Sequence, residues 1–391
     1  MKDIYVIESL RTPFGSFGGI LADVEAPHLG GTVMKMLSER ADLDPAAINE
    51  VIVGQVLTGG VGQAPARQAM LYAGLPDSVH AMTINKVCGS GLKAIMLGAG
   101  SIALGDAEIV IAGGMENMSL APFILKKARY GYRMGHGELL DLMVYDGLQD
   151  PYTGRHMGEI ADSAAERYSF SREAQDEYAI RSYQLAQKAV KEGIFKDEIV
   201  PVVKKSKKGE EVIADDEEPF KVDFEKLKQL RPAFTKEGTV TAGNASTISD
   251  GAAMTLLAGE AALKKYSLKP RARLVACSTW SLSPDLFPDA PVGAIESACS
   301  RAGIKISDID LFEINEAFAA VAMIAVKQLE LNLARVNVNG GAVAIGHPIG
   351  ASGGRLVATL IRELDRRQVR YGLATLCIGG GEAVAAIFER V

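Results

Sequence analysis

Four short stretches place reactive side chains among glycines. In "INKVCGSGLKAI" (84–95), Cys88 stands directly before Gly-Ser-Gly and an apolar, helix-like run. If Cys88 ends a strand-to-helix turn, its sulfur sits at a helix N-terminus, where free N–H groups and the partial positive charge favour thiolate. Gly89 and Gly91 would leave room for an acyl group. The same pattern also suits a small buried cysteine at a tight helix start. In "NVNGGAVAIGHPIGASGGR" (337–355), His347 lies between Gly346 and Pro348, and the chain has only five histidines. A neutral imidazole there could take the proton of a nearby thiol, although a lone histidine is more often satisfied in a core. In "LCIGGGEA" (376–383), Cys377 ends an apolar run before three glycines, whose N–H groups could face a ligand as an oxyanion hole requires. The alternative is a buried strand cysteine beside a tight turn. In "EINEAFAA" (313–320), Asn315 is expected to cap a helix starting near Glu316, or to orient a catalytic water. Cysteine and histidine together raise the question of a metal. No Cys-x-x-Cys or His-x-x-x-His pair occurs, so no metal site is expected. No Gly-x-Ser-x-Gly elbow of a serine hydrolase stands at a strand end.

The elements that must position these groups alternate. Residues 50–56, 107–115, 310–314 and 372–381 read as strands, and 89–104, 158–192, 291–303, 316–330 and 350–365 as helices, which predicts an α/β architecture with buried sheets. The events recur. "LDPAAINEVIVGQV" (43–56) echoes "IKISDIDLFEINEA" (304–317), "CGSGLKAI" (88–95) echoes "GASGGRLV" (350–357), and "AGGMEN" (112–117) echoes "IGGGEA" (378–383). Three landmarks in one order argue for a duplication. Residues 119–249 are richer in charge, Tyr and Met, and read as an insertion into the first half; "KKSKKGEE" (204–211) reads as a hairpin loop. The expected division is 1–118 with 250–269, the insert 119–249, and 270–391. With 391 residues, 48% hydrophobic and 23% charged, the chain has the composition of a soluble globular protein with a large core. A net charge of −6 argues against non-specific binding to nucleic acid or an acidic membrane face. The longest apolar stretch, 94–105, stops at Asp106, too short to span a bilayer, and no signal peptide is read. Four cysteines in this length predict free thiols in a reducing cytoplasm.

Taken together, "RTPFGSFGG" (11–19), "NKVCGSGLKA" (85–94), "AGGMENMS" (112–119), "LRPAFTKEGTVTAGNASTISDGAA" (230–253), "NEAFAA" (315–320), "NVNGGAVAIGHPIGASGGR" (337–355) and "CIGGGEA" (377–383) resemble the thiolase family of acetyl-CoA C-acetyltransferases over nearly the whole chain. The resemblance implies the thiolase fold, an α/β structure whose two duplicated halves form a five-layered αβαβα core, with a loop domain inserted in the first. It implies reversible thiolytic cleavage of acetoacetyl-CoA, or condensation of two acetyl-CoA, through an acetyl-Cys88 thioester. By the same resemblance His347 activates the Cys88 thiol, Cys377 exchanges the α-proton, and Asn315 holds a water in one oxyanion hole. The N–H groups of Cys88 and Gly379 form the other. His156 and Met157 match an acyl-pocket pair of short-chain members. Leu148, Ala242, Ser246, Ala317 and Phe318 match contacts to the pantetheine arm. The arginine that the family places near adenine falls at "EEPFKVDF" (217–224), where Lys221 is the substitute on offer. "FPDAP" (287–291) resembles the animal branch, some of whose members require potassium, but no ligands for it can be placed; no resident cofactor is implied, coenzyme A being a substrate. Glu382 departs from the usual glycine-and-apolar ending. Residues 125–145 resemble the loop through which members pair dimers into tetramers, so a homodimer or homotetramer is expected, with no nucleic acid or membrane partner. A longer-chain 3-ketoacyl-CoA thiolase, a condensing synthase and a non-catalytic acyl-CoA or lipid carrier are the alternatives.

Overall fold

The structure, a computed structural model, describes residues 3–206 and 209–391. Its centre is one hydrogen-bonded ten-stranded sheet, folded so that it forms two of five layers. In the first half the strand order runs His80–Ile84, Glu50–Gly54, Ile109–Asn117, Ser249–Gly259, Ile4–Arg11. In the second it runs Leu311–Ile314, Tyr371–Ile378, Glu382–Arg390, Ala272–Ser281. The halves join edge to edge through just two residue pairs, Tyr5 with Arg273 and Val6 with Ala272. Most of the strands are rich in Val, Ile and Ala and buried on both faces, which requires helices on either side; the edge strand His80–Ile84 and much of Ala272–Ser281 are only partly covered.

Those helices supply the other three layers. Ala26–Arg40 and Pro65–Tyr72 cover the outer face of the first half, packing Leu29, Val33, Met34 and Leu37 onto Ile109, Ile111, Met254 and Leu256. Ala290–Ala302 and Ala319–Gln328 cover the outer face of the second, on Leu373, Ala385 and Ile387. Between the sheets lie Ser90–Leu104 and Ser352–Arg367, whose Leu92, Ile95, Leu356 and Leu360 share one core with strands of both halves. The segment Val87–Leu104 is, contrary to the sequence expectation, long and apolar enough to cross a membrane; its apolarity comes from its place between two sheets, where half of it is buried.

The repeat is visible in detail. In each half, two parallel pairings or their remnant give way to antiparallel ones in the same order: Glu50–Gly54 pairs in parallel with Ile109–Asn117, and Leu311–Ile314 with Tyr371–Ile378. A parallel bridge from Phe312 to Val336 stands where the first half has its edge strand. Each half's first strand also carries a register shift at the matching place, between Val6 and Glu8 and between Leu274 and Ala276.

The chain leaves the first sheet at Asn117 and returns at Ser249. The excursion packs back through buried charge. Arg11, fully buried, donates to both oxygens of Asp216 (2.6 and 2.8 Å) and to Glu198 (2.6 Å), so two carboxylates of the excursion close on one guanidinium of the first strand. The helix expected over 158–192 is two helices, Met157–Arg167 and Arg172–Lys191. The break falls at Ser169, in left-handed conformation, and Ser171, whose side chain caps the second helix at Ala174 N. Around the basic run, Val202–Ser206 and Gly209–Ile213 pair as an antiparallel hairpin; Lys207 and Lys208 lie outside the described residues.

Candidate active site

Cys88 sits in a tight turn between the edge strand His80–Ile84 and the central helix Ser90–Leu104. Ser90 Oγ accepts from Lys86 N–H (2.8 Å) and donates to the Val87 carbonyl (2.7 Å). The turn forces Val87 to φ +46°, a costly conformation for a β-branched residue, of order 1–3 kcal/mol. The glycines around Cys88 serve packing rather than acyl access. A Cβ on Gly89 would lie 2.4 Å from Ile378 Cδ1, and one on Gly91 would lie 2.9 Å from the Gly350 carbonyl. The expected thiolate is also reversed. Burial pushes the Cys88 thiol up to about 11, only partly offset by N–H groups of Gly379 and Cys88 itself, with the Glu116 charge acting in the same direction as burial. The resting sulfur is a thiol and needs a base.

His347 supplies one. Its backbone N–H donates to the Thr247 carbonyl (3.0 Å), and its ring Nδ1 meets Ser352 Oγ. Ser352 gives its own proton to the Pro348 carbonyl (3.0 Å), which assigns the imidazole proton to Nδ1 and leaves Nε2 as the acceptor. Burial, reinforced by the Arg355 charge, lowers the His347 pKa to about 3, so the ring is neutral near pH 7. Nε2 lies 3.4 Å from Asn315 Nδ2. Asn315 is not the helix cap that the sequence predicts: the helix begins only at Ala319, behind Phe318, with no side-chain cap. Fully buried, Asn315 instead extends from the strand Leu311–Ile314 towards the histidine, and its Oδ1 has no protein partner. Glu316 clamps that segment, accepting from Tyr178 Oη (3.1 Å), Ser182 Oγ (2.7 Å), Asn337 Nδ2 (2.8 Å) and Val343 N–H (3.2 Å).

Cys377 lies one residue before the end of the strand Tyr371–Ile378 and is buried. Burial, then the neighbouring Cys88 sulfur, raises its pKa far above the usual thiol range. The turn that follows needs glycine: Gly380 and Gly381 take φ of +91° and +88°, and a Cβ on Gly381 would meet the Leu282 carbonyl at 2.5 Å.

These groups open onto one cavity of about 430 Å³, lined by Cys88, His347, Cys377 and Gly379. Leu148, His156, Met157, Ala242, Ser246, Ala317 and Phe318 line it too. Of the residues singled out from sequence, Asn315 and Lys221 are not in the wall; Asn315 stands behind His347. His156 has a local task besides. Its Nδ1 accepts from Gly158 N–H (3.0 Å), capping the helix Met157–Arg167, so the other nitrogen carries the proton in the neutral ring. The ring stacks on Phe234 at 4.8 Å, and Phe234 meets Phe318 edge-on at 6.0 Å. Asp162 anchors the stretch leading to Ala242, accepting from Thr239 N–H and Val240 N–H at 2.8 Å each. The sequence reading missed Phe234, Phe287, Met118 and Ile349 as wall residues. Phe234 lay within a quoted motif, "LRPAF", but an aromatic there carries no chemistry that marks it. Glu218 is the one charged residue of the wall, and Lys221 reaches Ser16 Oγ (3.0 Å) beside it. Among the described residues no cluster of His, Cys, Asp and Glu is placed to hold a metal.

Comparison with known proteins agrees across the chain. The family model described as "Thiolase, N-terminal domain" matches residues 4–261, and "Thiolase, C-terminal domain" matches 268–390. Acetyl-CoA acetyltransferases of Pseudomonas aeruginosa and Cupriavidus necator are each 50% identical to this chain, covering 100% of both sequences. A probable acetyl-CoA acyltransferase of Staphylococcus aureus is 48% identical over the same extent. The crystal structure of the Bacillus anthracis acetyl-CoA acetyltransferase superposes with a TM-score of 0.97 at 42% identity, covering 100% of this chain and 99% of that one. Two sheets, two central helices and two cysteines meeting at one cavity are thus the product of a shared ancestry: this chain belongs to the thiolase family.

Proposed function

We propose that the protein is an acyltransferase that cleaves acetoacetyl-CoA with coenzyme A into two acetyl-CoA, and runs the reverse condensation. The observation that carries the reading is the meeting of Cys88, His347, Cys377 and the Gly379 N–H in one largely apolar cavity. In the cleavage direction, His347 Nε2 takes the Cys88 proton and the sulfur attacks the ketone carbon. The carbon–carbon bond breaks. Its electron pair leaves as the enolate of acetyl-CoA, which takes a proton from Cys377. The acetyl group now rests on Cys88 as a thioester. The incoming coenzyme A gives its thiol proton to Cys377 and attacks the acetyl carbon. Cys88 leaves as thiolate and recovers its proton from His347. Every proton and electron pair is returned. Because thioester exchanges for thioester, the acyl transfer is near balance, and the barrier lies in the carbon–carbon step. The Gly379 N–H aimed at Cys88 favours charge developing at that place; one such donor is worth about 10²–10³ in rate. A positioned base such as His347 contributes about 10²–10⁴.

The short chain length rests on Met157, Phe234, Phe287 and Phe318, which crowd the cavity. Two free thiols in the site accord with a reducing, cytoplasmic setting. The stretch 120–145 exposes Leu120, Phe123, Tyr130 and Met134, supporting a role in joining copies into a homotetramer beyond a dimer. The test is a series of 3-ketoacyl-CoA substrates of rising chain length, each with coenzyme A. Loss of acetoacetyl-CoA enolate absorbance is expected, with rates falling as the chain grows. No turnover of acetoacetyl-CoA alongside cleavage of longer chains would overturn the short-chain reading.

A further inference from the structure

Glu116 is fully buried in the strand Ile109–Asn117 and has no ion-pair partner among the described residues. Its carboxylate instead collects three backbone N–H groups. Oε2 accepts from Val56 (2.9 Å) and Gly350 (2.9 Å), and Oε1 from Leu57 (3.1 Å). Val56 and Leu57 follow the first-half strand Glu50–Gly54, whereas Gly350 stands three residues after His347 in the second half. The contact has no slack: a Cβ on Gly350 would lie 2.6 Å from Glu116 Oε2, 2.9 Å from the Met115 carbonyl and 3.0 Å from Gln55 Cα. Val56, Leu57, Met118 and Ile349 form an apolar cluster on which Cys88 packs. The two segments tied by this carboxylate are therefore the one touching the nucleophile and the one carrying its base.

We propose that Glu116 is a positioning residue for acyl transfer. Its carboxylate clasps the His347 loop of one half to the segment under Cys88 in the other, and so sets how thiol and imidazole meet. This rests on the thiolase reading above. Once ionised, which burial delays to about pH 7, the carboxylate suits the task because both oxygens accept. An amide of the same shape has one acceptor and would turn its own N–H₂ towards an N–H donor. Misplacement of a reacting group by about 1 Å can cost about 10²-fold.

The test is Glu116→Gln, with rates expressed per Cys88 titrated by iodoacetamide. We expect kcat to fall by about 10²-fold with the KM for coenzyme A unchanged, since the pantetheine-facing wall is untouched. Alkylation of Cys88 by iodoacetamide should slow in parallel; it needs the thiol and its base but no coenzyme A. A folded variant with wild-type kcat and wild-type alkylation would overturn the proposal. If wild-type protein fails to turn over acetoacetyl-CoA, the functional reading falls, and the alkylation ratio alone judges Glu116. Should Glu116→Gln lose its fold, Gly350→Ala pushes a methyl against the same carboxylate, and unchanged kcat there would equally refute the clasp.

Discussion

His347 carries its burial as a liability that pH can expose. The native ring has a pKa of about 3, whereas an unfolded imidazole titrates near 6.5. Between those values the unfolded chain binds a proton that the native chain does not. This residue's contribution to stability is therefore present above about pH 6.5 and lost as pH falls towards 3, by up to about 1.4 kcal/mol per pH unit. Buried Glu116 and Glu313, raised to about 7 and about 8 by burial, act in the opposite sense. The His347 share is isolated by comparing urea midpoints of wild type and His347→Asn from pH 7 to pH 4. The wild-type stability should fall more steeply; parallel curves would refute the neutral, buried imidazole. At this scale the sequence was informative where chemistry needs a particular residue type. Cys88, His347 and Cys377 stood out because reactive side chains sat among glycines. It misled where the same residue serves two ends. Asn315 looked like a helix cap because a helix follows, but that helix starts four residues later. The Cys88 thiolate was inferred from a helix terminus, and burial outweighs it.

The central helices show the same ambiguity in whole elements. Gly91 and Gly353 occupy corresponding positions of the repeat, each one residue into its helix. A Cβ on Gly353 would lie 2.2 Å from Leu92 N, and one on Gly91 would lie 2.9 Å from Gly354 N. The two helices thus cross backbone to backbone near their N-termini, each glycine admitting the other helix. Gly353→Ala must separate them, and overpacking of this kind costs typically 1–3 kcal/mol, at the upper end or above here because the obstacle is main chain. A lowered urea midpoint, with a loss of activity larger than the loss of folded protein, is expected; a variant of wild-type stability would contradict the crossing. Periodicity located these helices within a residue or two but could not say what their glycines were for. It merged Met157–Arg167 with Arg172–Lys191, although Ser171 followed by Glu173 was a readable start signal. Phe234 and Phe287 of the aromatic wall were the least legible, because they are distant in sequence and meet Phe318 only through tertiary packing.

Across the whole molecule, duplication was readable from three echoes, and the structure adds matched strand orders and matched bulges. What no echo revealed is how little sheet joins the halves: two residue pairs. Cohesion comes instead from the middle layer, where Leu92, Ile95, Leu257, Leu356, Leu360 and Phe388 share one interior. Cutting the chain between Ser267 and Pro270, after the helix Glu260–Tyr266, leaves two pieces that each expose an apolar face normally covered by the other. Either piece made alone should aggregate. Made together they should find each other and restore turnover, which a two-plasmid expression assay reads directly; soluble, monomeric single pieces would refute it. The innermost layer belongs to neither copy of the ancestral repeat alone, so the fused gene cannot be divided again without the fragments remaining partners.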